Sequence, residues 1–164
     1  MRIGIGYDSH RFKAGGTSLK LGGVSIPYHR TLDGHSDADV LLHAVADAVL
    51  GAIGAPDLGE LFPSTDPKYR HADSRRFVEE AYARARRAGW RVGNLDATVI
   101  TDAPKLTPHK QKMRRAIGRL LKVAPSAVSV KAKTTEGLAP GKDGIAAQVV
   151  VLLQPIARRN GTST

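Results

Sequence analysis

Apolar residues recur along the chain with two periods, and the change of period separates predicted strands from predicted helices. Residues 2–8 alternate, with Ile3 and Ile5 set against Gly4 and Gly6, which predicts a first strand. Residues 19–26 flank Gly22-Gly23 with short apolar runs and stop at a proline, which predicts a small hairpin. The chain therefore opens with β-structure.

The first helix is predicted over residues 38–54. Ser36 or Asp37 is expected to cap it, since a short side chain there accepts an orphan backbone N–H, and Asp39 completes a weaker capping box. Glycines over 51–54 end it. Its apolar stripe has helical spacing and consists of Val40, Leu41, Ala44, Val45, Ala48 and Val49.

Residues 55–72 are predicted to be irregular because they contain three prolines and a glycine. An ordered loop of that length inside a compact domain is often functional. Asp57 and Gly59 within it could hold a sugar diol with a carboxylate and bare backbone. An ordinary Asx turn is the alternative.

The second half of the chain alternates helices with strands. Asp73 or Ser74 caps a helix that ends in basic residues before Gly89, as helix C-termini favour. After it come a strand (91–100), a turn (101–106), a basic helix (108–122), a strand (128–133), a Gly/Pro loop (137–144) and an apolar strand (145–153).

This element order predicts an α+β fold, in which three helices cover one face of a mixed β-sheet and a small N-terminal hairpin stands beside it. The 164 residues suffice for one domain, which we place at 1–154. Residues 155–164 are polar and are expected to form a frayed tail.

Charge is distributed unevenly, although the net value is +10. Residues 1–66 contain five Lys/Arg and eight Asp/Glu, whereas residues 67–164 contain 20 and seven. An acidic half suits a bound cation and a basic half suits phosphates; a basic solvated surface is the plainer alternative. Only 5% of the residues are aromatic, and they do not interleave with the basic ones, so nucleic acid is not an expected partner.

The chain contains no cysteine. Disulfides are therefore excluded, and any metal site must use His, Asp or Glu. This composition fits a reducing cytoplasm, which is the expected location. No apolar window is long enough to span a bilayer, and the N-terminus is too short and strand-like for a secretory signal, so no membrane association is expected.

A metal site is predicted from Asp8, His10 and His43. Asp8 and His10 lie two residues apart near the end of the first strand and so share a face, and His43 lies on the helix that can pack there. Three nitrogen or oxygen ligands leave the fourth position of a catalytic-type zinc site open. A simple Asp–His hydrogen bond at the strand end is the alternative.

A phosphate-binding region is predicted from Lys105, after one strand, and Thr134-Thr135-Glu136 at the end of another. Hydroxyls and backbone N–H groups bind phosphate oxygens. A carboxylate beside them can hold Mg²⁺ that also takes phosphate ligands. The sequence has no P-loop, no complete dinucleotide fingerprint and no G-x-S-x-G motif.

Several segments together resemble the 2-C-methyl-D-erythritol 2,4-cyclodiphosphate synthase family, enzymes of the non-mevalonate isoprenoid pathway. They occur in order and at family spacing over nearly the whole chain to about Leu153. They are Arg2-Ile3-Gly4 with Gly6-Tyr7-Asp8-Ser9-His10, Gly22-Gly23-Val24 with Ile26-Pro27-Tyr28, His35-Ser36-Asp37 through His43-Ala44, Leu61-Phe62-Pro63 with Thr65-Asp66-Pro67, Ala72-Asp73-Ser74, Ala103-Pro104-Lys105, and Lys131 through Thr135-Glu136.

The resemblance implies a homotrimer with active sites between adjacent subunits. It implies Zn²⁺, or another divalent transition metal, on Asp8, His10 and His43, and Mg²⁺ or Mn²⁺ on Glu136. His35 and Thr134 would be the catalytic residues that stabilise the transition state. The substrate would be 4-diphosphocytidyl-2-C-methyl-D-erythritol 2-phosphate, whose 2-phosphate attacks the β-phosphorus to give the 2,4-cyclodiphosphate and CMP.

The resemblance also implies the substrate-binding residues. His35 and Ser36 would contact phosphate, Asp57 and Gly59 the ribose, the 62–66 loop the methylerythritol, and 101–107 with 133–136 the cytidine diphosphate of the neighbouring subunit. The full set is Asp8, Ser9, His10, His35, Ser36, Asp57, Leu58, Gly59, Phe62, Pro63, Ser64, Thr65, Asp66, Thr101, Asp102, Ala103, Pro104, Lys105, Leu106, Thr107, Lys133, Thr134, Thr135, Glu136 and Lys142.

One segment departs from the family pattern, and two other functions compete. The loop 137–143 is shorter than in many members of the family, which carry an aromatic residue and an arginine there. Lys142 is the candidate replacement for the arginine, although an ammonium does not reproduce a bidentate guanidinium. A general metal phosphohydrolase is the second enzymatic hypothesis. A basic trimer that binds nucleotide or RNA is the non-enzymatic one. His29, His71 and His109 match no functional position.

Overall fold

A computed structural model describes residues 1–34, 36–137 and 143–157 of the chain. Short 3-10 turns lie at Pro67–Tyr69, Thr107–His109 and Pro125–Ala127. The strands and helices, in chain order, are β1 (Arg2–Ala14), β2 (Ser18–Leu21), β3 (Val24–Pro27), β4 (Arg30–Leu32), α1 (Val40–Ala52), α2 (Leu58–Leu61), α3 (Arg75–Arg87), β5 (Trp90–Ile100), α4 (Lys110–Leu121), β6 (Val128–Lys133) and β7 (Gly144–Pro155).

The main sheet is mixed and has the strand order β4-β1-β7-β5-β6. Only β5 and β6 run parallel; the other neighbours are antiparallel. Strands β2 and β3 form a separate hairpin, and its two turn residues, Gly22 and Gly23, have φ of 60° and 74°, as a primed turn requires. The predicted α+β class, mixed sheet and hairpin are confirmed.

Helix α1 is the centre of the core. It packs against β1 and β7 on one side and α3 on the other, so nearly all of its side chains are buried. A helix that is apolar all round belongs in such a position. None of the helices in the described ranges combines the length and apolar character needed to cross a bilayer.

Helix α1 begins later than the predicted residue 38. Ala38 has φ of 55°, outside the right-handed helical region, so the helix starts at Val40. Asp39 caps it, rather than Ser36 or Asp37: its Oδ1 accepts the Leu42 N–H at 3.0 Å. The same carboxylate accepts the N–H groups of both hairpin-turn glycines at 2.7 Å, which ties the hairpin to the helix.

Several boundaries differ from the prediction because backbone pairing extends elements beyond their apolar pattern. Strand β1 continues beyond the predicted residues 2–8 to Ala14, because its last residues pair with β4. The short helix α2 lies within the predicted irregular segment 55–72. Strand β7 reaches Pro155, and the Ile156 N–H donates to the Gly89 carbonyl at 2.9 Å, so the predicted tail is paired at its start. Residues 158–164 lie outside the described ranges.

The other face of the sheet carries exposed apolar side chains. Ile3, Ile5 and Tyr7 of β1 are 71%, 61% and 60% exposed, and Val150 of β7 is 43% exposed. Ile5 and Val150 are direct cross-strand partners, so these side chains form one patch. An apolar patch of this kind on a described sheet face marks an interaction surface.

Two glycines let β1 lie directly against α1. A Cβ on Gly6 would come within 2.0 Å of the Ala44 carbonyl oxygen, and one on Gly4 within 1.9 Å of the Ala48 carbonyl oxygen. Both obstacles are helix backbone atoms, which cannot rotate away. These glycines therefore set the distance between the strand that carries Asp8 and His10 and the helix that carries His43.

We expect Gly6→Ala to lower the free energy of unfolding by about 3 kcal/mol, because the added methyl group must push helix and strand apart. Gly51→Ala, in α1, is the matched control, because the nearest atom to a Cβ added there is the Ile5 carbonyl oxygen at 3.7 Å. The control is expected to stabilise by up to about 1 kcal/mol, since alanine favours the helix. Urea unfolding measures both; equal stabilities would contradict the expectation.

Candidate active site

Asp8, His10 and His43 converge at one end of the sheet, as predicted. Asp8 Oδ2 lies 2.9 Å from His43 Nδ1 and 3.1 Å from His10 Nε2, and the two imidazole nitrogens are 3.3 Å apart. The first two residues are on the helix-facing side of β1, and the third is on the first turn of α1. This is a group of three ligand atoms close enough to share one metal ion.

The donor set fits a divalent metal ion. Ligands bound tetrahedrally to zinc at about 2.0–2.1 Å lie about 3.3–3.4 Å from one another. The separations of Asp8, His10 and His43 fall at or just below that range. One carboxylate and two imidazoles also suit a borderline cation better than a hard one.

The charges at the site favour cation binding. Burial alone would raise the pKa of Asp8, but hydrogen bonds from His10 and His43 hold that pKa well below its ordinary value, so the carboxylate stays ionised. Burial lowers the pKa of His10, but the hydrogen bond and charge of Asp8 outweigh it and raise the pKa. Protons therefore compete with a cation for the imidazole.

The second ring nitrogen of His43 points into a buried polar cluster. His43 Nε2 lies 2.9 Å from Ser74 Oγ and 3.1 Å from Ser36 Oγ. Ser74 Oγ in turn donates to Asp37 Oδ1 at 2.5 Å. Ser74 was predicted only as a helix cap, and Asp37 as an alternative cap; their contacts with this centre could not be read from the sequence, because 31 residues separate Ser74 from His43.

A cavity of about 450 Å³ opens beside the three ligands. Its walls come from β1, α1, α3 and the 58–65 segment, which brings together sites far apart in the chain. The lining residues are Asp8, His10, Gly34, Ser36, His43, Asp47, Leu58, Gly59, Phe62, Pro63, Ser64, Thr65, Tyr69 and Phe77. Gly34, Asp47, Tyr69 and Phe77 were not predicted, since nothing in their local sequence distinguishes them from core or loop residues.

The 57–66 segment is held in place by carboxylates. Asp47 Oδ1, one turn beyond His43 on α1, accepts the Leu58 N–H at 2.7 Å. Burial raises the pKa of Asp47, and the nearby negative charges of Asp57 and Asp8 add to the effect. Asp57 caps α2 by accepting the Glu60 N–H at 2.9 Å, which is the local role weighed as the alternative to diol binding.

A second cluster lies at the carboxyl ends of the parallel strands β5 and β6. The Thr101 N–H donates to the Lys133 carbonyl at 2.9 Å. The Thr135 N–H and Oγ1 both donate to the Asp102 carboxylate, at 2.8 Å to the nearest oxygen. The segments 101–107 and 133–136, which the sequence placed in one pocket, are therefore adjacent.

The two clusters lie at the same end of the sheet on different strands, and a second cavity, lined by Ser9, His10 and Thr135 among others, extends between them. Ser9 pairs with Ala146, Ala146 with Ile100, and Ile100 with Lys133. With strands about 4.8 Å apart, Lys133 lies about 14 Å from Ser9 across the sheet. None of the residues 101–107 or 133–136 lines the metal-side cavity as the structure describes it.

Other predicted site residues lie apart from the metal-side cavity or outside the described residues. Asp66 is not among the cavity-lining residues; it caps a 3-10 turn and pairs with Lys68 at 2.9 Å. Thr134 Oγ1 donates to the Glu136 carboxylate. His35 and Lys142 lie outside the described residues.

Comparison with known proteins gives a consistent result. The YgbB family model matches residues 1–154. The 2-C-methyl-D-erythritol 2,4-cyclodiphosphate synthase of Koribacter versatilis is 50% identical over 155 residues, with 94% of this chain and 98% of that protein covered. The Geobacillus kaustophilus enzyme of the same name is 54% identical, with 93% and 98% covered.

Solved structures agree. The IspF–CDP complex of Plasmodium falciparum has a TM-score of 0.83 at 34% identity, covering 95% of this chain and 97% of that one. The bifunctional IspDF of Campylobacter jejuni has a TM-score of 0.90 at 39% identity, covering 94% of this chain and 42% of that one. The chain therefore belongs to the YgbB family and is a cyclising lyase of isoprenoid biosynthesis, of the 2-C-methyl-D-erythritol 2,4-cyclodiphosphate synthase type.

Proposed function

We propose that the protein converts 4-diphosphocytidyl-2-C-methyl-D-erythritol 2-phosphate to 2-C-methyl-D-erythritol 2,4-cyclodiphosphate and CMP. The observation that carries this proposal is the convergence of Asp8, His10 and His43 beside a cavity, within a chain about half identical to synthases of that name. The phosphate oxygen forms a bond to the β-phosphorus, and the bond from that phosphorus to the CMP oxygen breaks.

The nucleophile needs no general base. A phosphate monoester is anionic at neutral pH, so the reaction does not require a nucleophile–base triad. The barrier lies in bringing two anions together in line, and positioning plus charge stabilisation lower it. The site residues therefore act by binding and orientation.

We assign Asp8, His10 and His43 as the ligands of Zn²⁺, which when bound neutralises phosphate charge during the transfer. Ser36, at the cavity wall, offers a hydroxyl to the same phosphate. His35 and Thr134 are proposed as the groups that stabilise the charge of the transition state. Glu136 is proposed to hold Mg²⁺ or Mn²⁺ at the diphosphate.

The active site is proposed to combine the two clusters from adjacent subunits of a homotrimer. One chain leaves them about 14 Å apart across the sheet, too far to share one small substrate phosphate. The exposed patch of Ile3, Ile5, Tyr7 and Val150 offers a surface on which a second copy can pack. The CDP-bound Plasmodium relative supports a cytidine diphosphate site for the basic half.

The reaction is proposed to take place in the cytoplasm, in keeping with the absence of cysteine from the sequence.

Product analysis tests the proposal. Phosphorus NMR after addition of the CDP-methylerythritol phosphate substrate is expected to show a cyclic diphosphate and CMP in equal amounts. A metal phosphohydrolase would instead release inorganic phosphate. Free phosphate without a cyclic product would overturn the proposed function.

We expect Glu136→Gln to raise the Mg²⁺ concentration needed for half-maximal turnover by about tenfold or more, because the neutral amide binds a hard cation far more weakly. Zinc content should not change, since Glu136 belongs to the other cluster. Asp96→Asn is the matched control. Asp96 is an acidic residue of β5, and its carboxylate forms an ion pair with Lys131 of β6. An unchanged Mg²⁺ titration would contradict the assignment.

A further inference from the structure

His43 Nε2 lies against the side chain of Ser74 at the start of α3, and Ser74 in turn contacts the side chain of Asp37. Ser74 occupies the N-cap position of α3, where a serine hydroxyl normally accepts an N–H of the first helical turn. Its hydroxyl makes no such bond. Instead it lies between His43 Nε2 and Asp37 Oδ1, with the whole residue inaccessible to solvent.

The direction of the hydrogen bonds follows from their chemistry. A carboxylate oxygen can only accept, so the Ser74 hydroxyl donates to Asp37. Because the Ser74 hydroxyl proton is used in that bond, the Ser74 oxygen can only accept from His43. It accepts the proton on His43 Nε2. With its proton on Nε2, the imidazole that binds a metal ion does so through Nδ1, the atom that lies 2.9 Å from Asp8 Oδ2.

We propose that Asp37 and Ser74 are positioning residues that select the tautomer and ring orientation of His43 and thereby raise the metal affinity of the site. The inference rests on the metal ligands of the proposed function. Outer-sphere partners of metal-bound histidines act in this way, and losing one typically weakens metal binding about 10- to 100-fold.

The surrounding contacts support a dedicated arrangement. Asp37 Oδ1 also accepts the Ser74 backbone N–H at 3.3 Å, so the carboxylate holds both ends of Ser74. Phe77 packs on the His43 ring with centroids 5.8 Å apart, which limits other ring positions. Helix capping is left to the neighbouring Asp73, whose Oδ1 accepts the Arg75 N–H at 2.9 Å.

The test is the Zn²⁺ dissociation constant, measured by competition with a chromogenic chelator. Ser74→Ala is expected to weaken binding about 10- to 100-fold, and Ser74→Thr, which keeps the hydroxyl, to restore most of it. Asp73→Ala is the matched control, because it removes the carboxylate that accepts the Arg75 N–H at the start of α3. It should lower stability and leave zinc affinity within twofold. Zinc affinity equal to wild type in Ser74→Ala would overturn the inference.

Two further measurements keep the test independent of folding and of catalysis. Asp37→Asn retains an acceptor of the same size but no charge, and is expected to weaken zinc binding by a smaller factor in a fully folded protein. In the zinc-loaded wild type, the His43 Nε2 proton should give a slowly exchanging downfield resonance that Ser74→Ala loses. If that proton exchanges equally fast in both proteins, the inference is wrong.

The failure of this inference and the failure of the proposed function give different experimental results. A wild-type enzyme that forms the cyclic product, with zinc affinity indifferent to Ser74 and Asp37, would refute the inference alone. A protein whose zinc affinity depends on both residues but that releases only inorganic phosphate would refute the proposed function alone.

Discussion

Replacing His43 with alanine is expected to remove bound zinc and to reduce turnover by about a thousandfold or more, because the metal neutralises charge on phosphates that otherwise repel each other. His43 is the ligand supplied by α1, so its loss leaves only Asp8 and His10 of β1. Metal content by elemental analysis and turnover by CMP release are the measurements.

His29→Ala is the matched control, because His29 is exposed and its ring lies tilted against that of its neighbour Tyr28, with ring centroids 4.5 Å apart. It should keep full zinc occupancy and activity. Size-exclusion chromatography should give the same assembly for both variants, since His43 faces the helix side of the sheet and not the exposed apolar patch. A His43→Ala enzyme with full zinc and wild-type turnover would refute the metal assignment.

Mixing two inactive variants is expected to restore activity if the site lies between subunits. One variant carries His43→Ala, which disables the metal half, and the other carries T134A/E136A, which disables the proposed diphosphate half. In randomly mixed trimers at equal amounts, about a quarter of the sites combine an intact half from each neighbour. If one chain supplied both halves of its own site, no intact site would form.

Refolding the two variants together, against each refolded alone, measures the effect by CMP release. Equal mixtures of each variant with wild type are the controls. They should retain about half of the wild-type sites, which shows that co-refolding recovers active enzyme, and native mass spectrometry of a mass-tagged variant shows that mixed trimers form. Activity no higher than the sum of the separate variants, with mixed trimers demonstrated, would refute the shared site.

Local sequence sufficed where a residue's role depends on its near neighbours. The alternation of residues 2–8 and the helical stripe from Val40 to Val49 predicted the right element types, because side-chain burial follows the period of the backbone. The Gly22-Gly23 hairpin was predicted because two glycines between short apolar runs favour a tight turn. The candidate metal ligands were predicted because D-x-H on a strand places Asp8 and His10 on one face, and because the helix that carries His43 can pack against that strand.

Boundaries were missed where long-range contacts decide them. The sequence suggested Ser36 or Asp37 as the cap of α1, but Ala38 adopts φ of 55° and Asp39 takes the role while binding the hairpin turn. β1 extends to Ala14 because β4 pairs with it, and a pairing partner leaves no mark in the strand's own pattern.

The α+β class, the uneven charge of the two halves and the residue types able to bind a metal and phosphates could all be predicted from the sequence. The folded chain was needed to show that Asp8, His10 and His43 approach within 3.3 Å, that Ser74 and Asp37 form a hydrogen-bonded chain to His43 Nε2, and that the two clusters lie on different strands. Local periods constrain which face a residue occupies, whereas distances between elements depend on close packing, here on Gly4 and Gly6 letting β1 lie against α1.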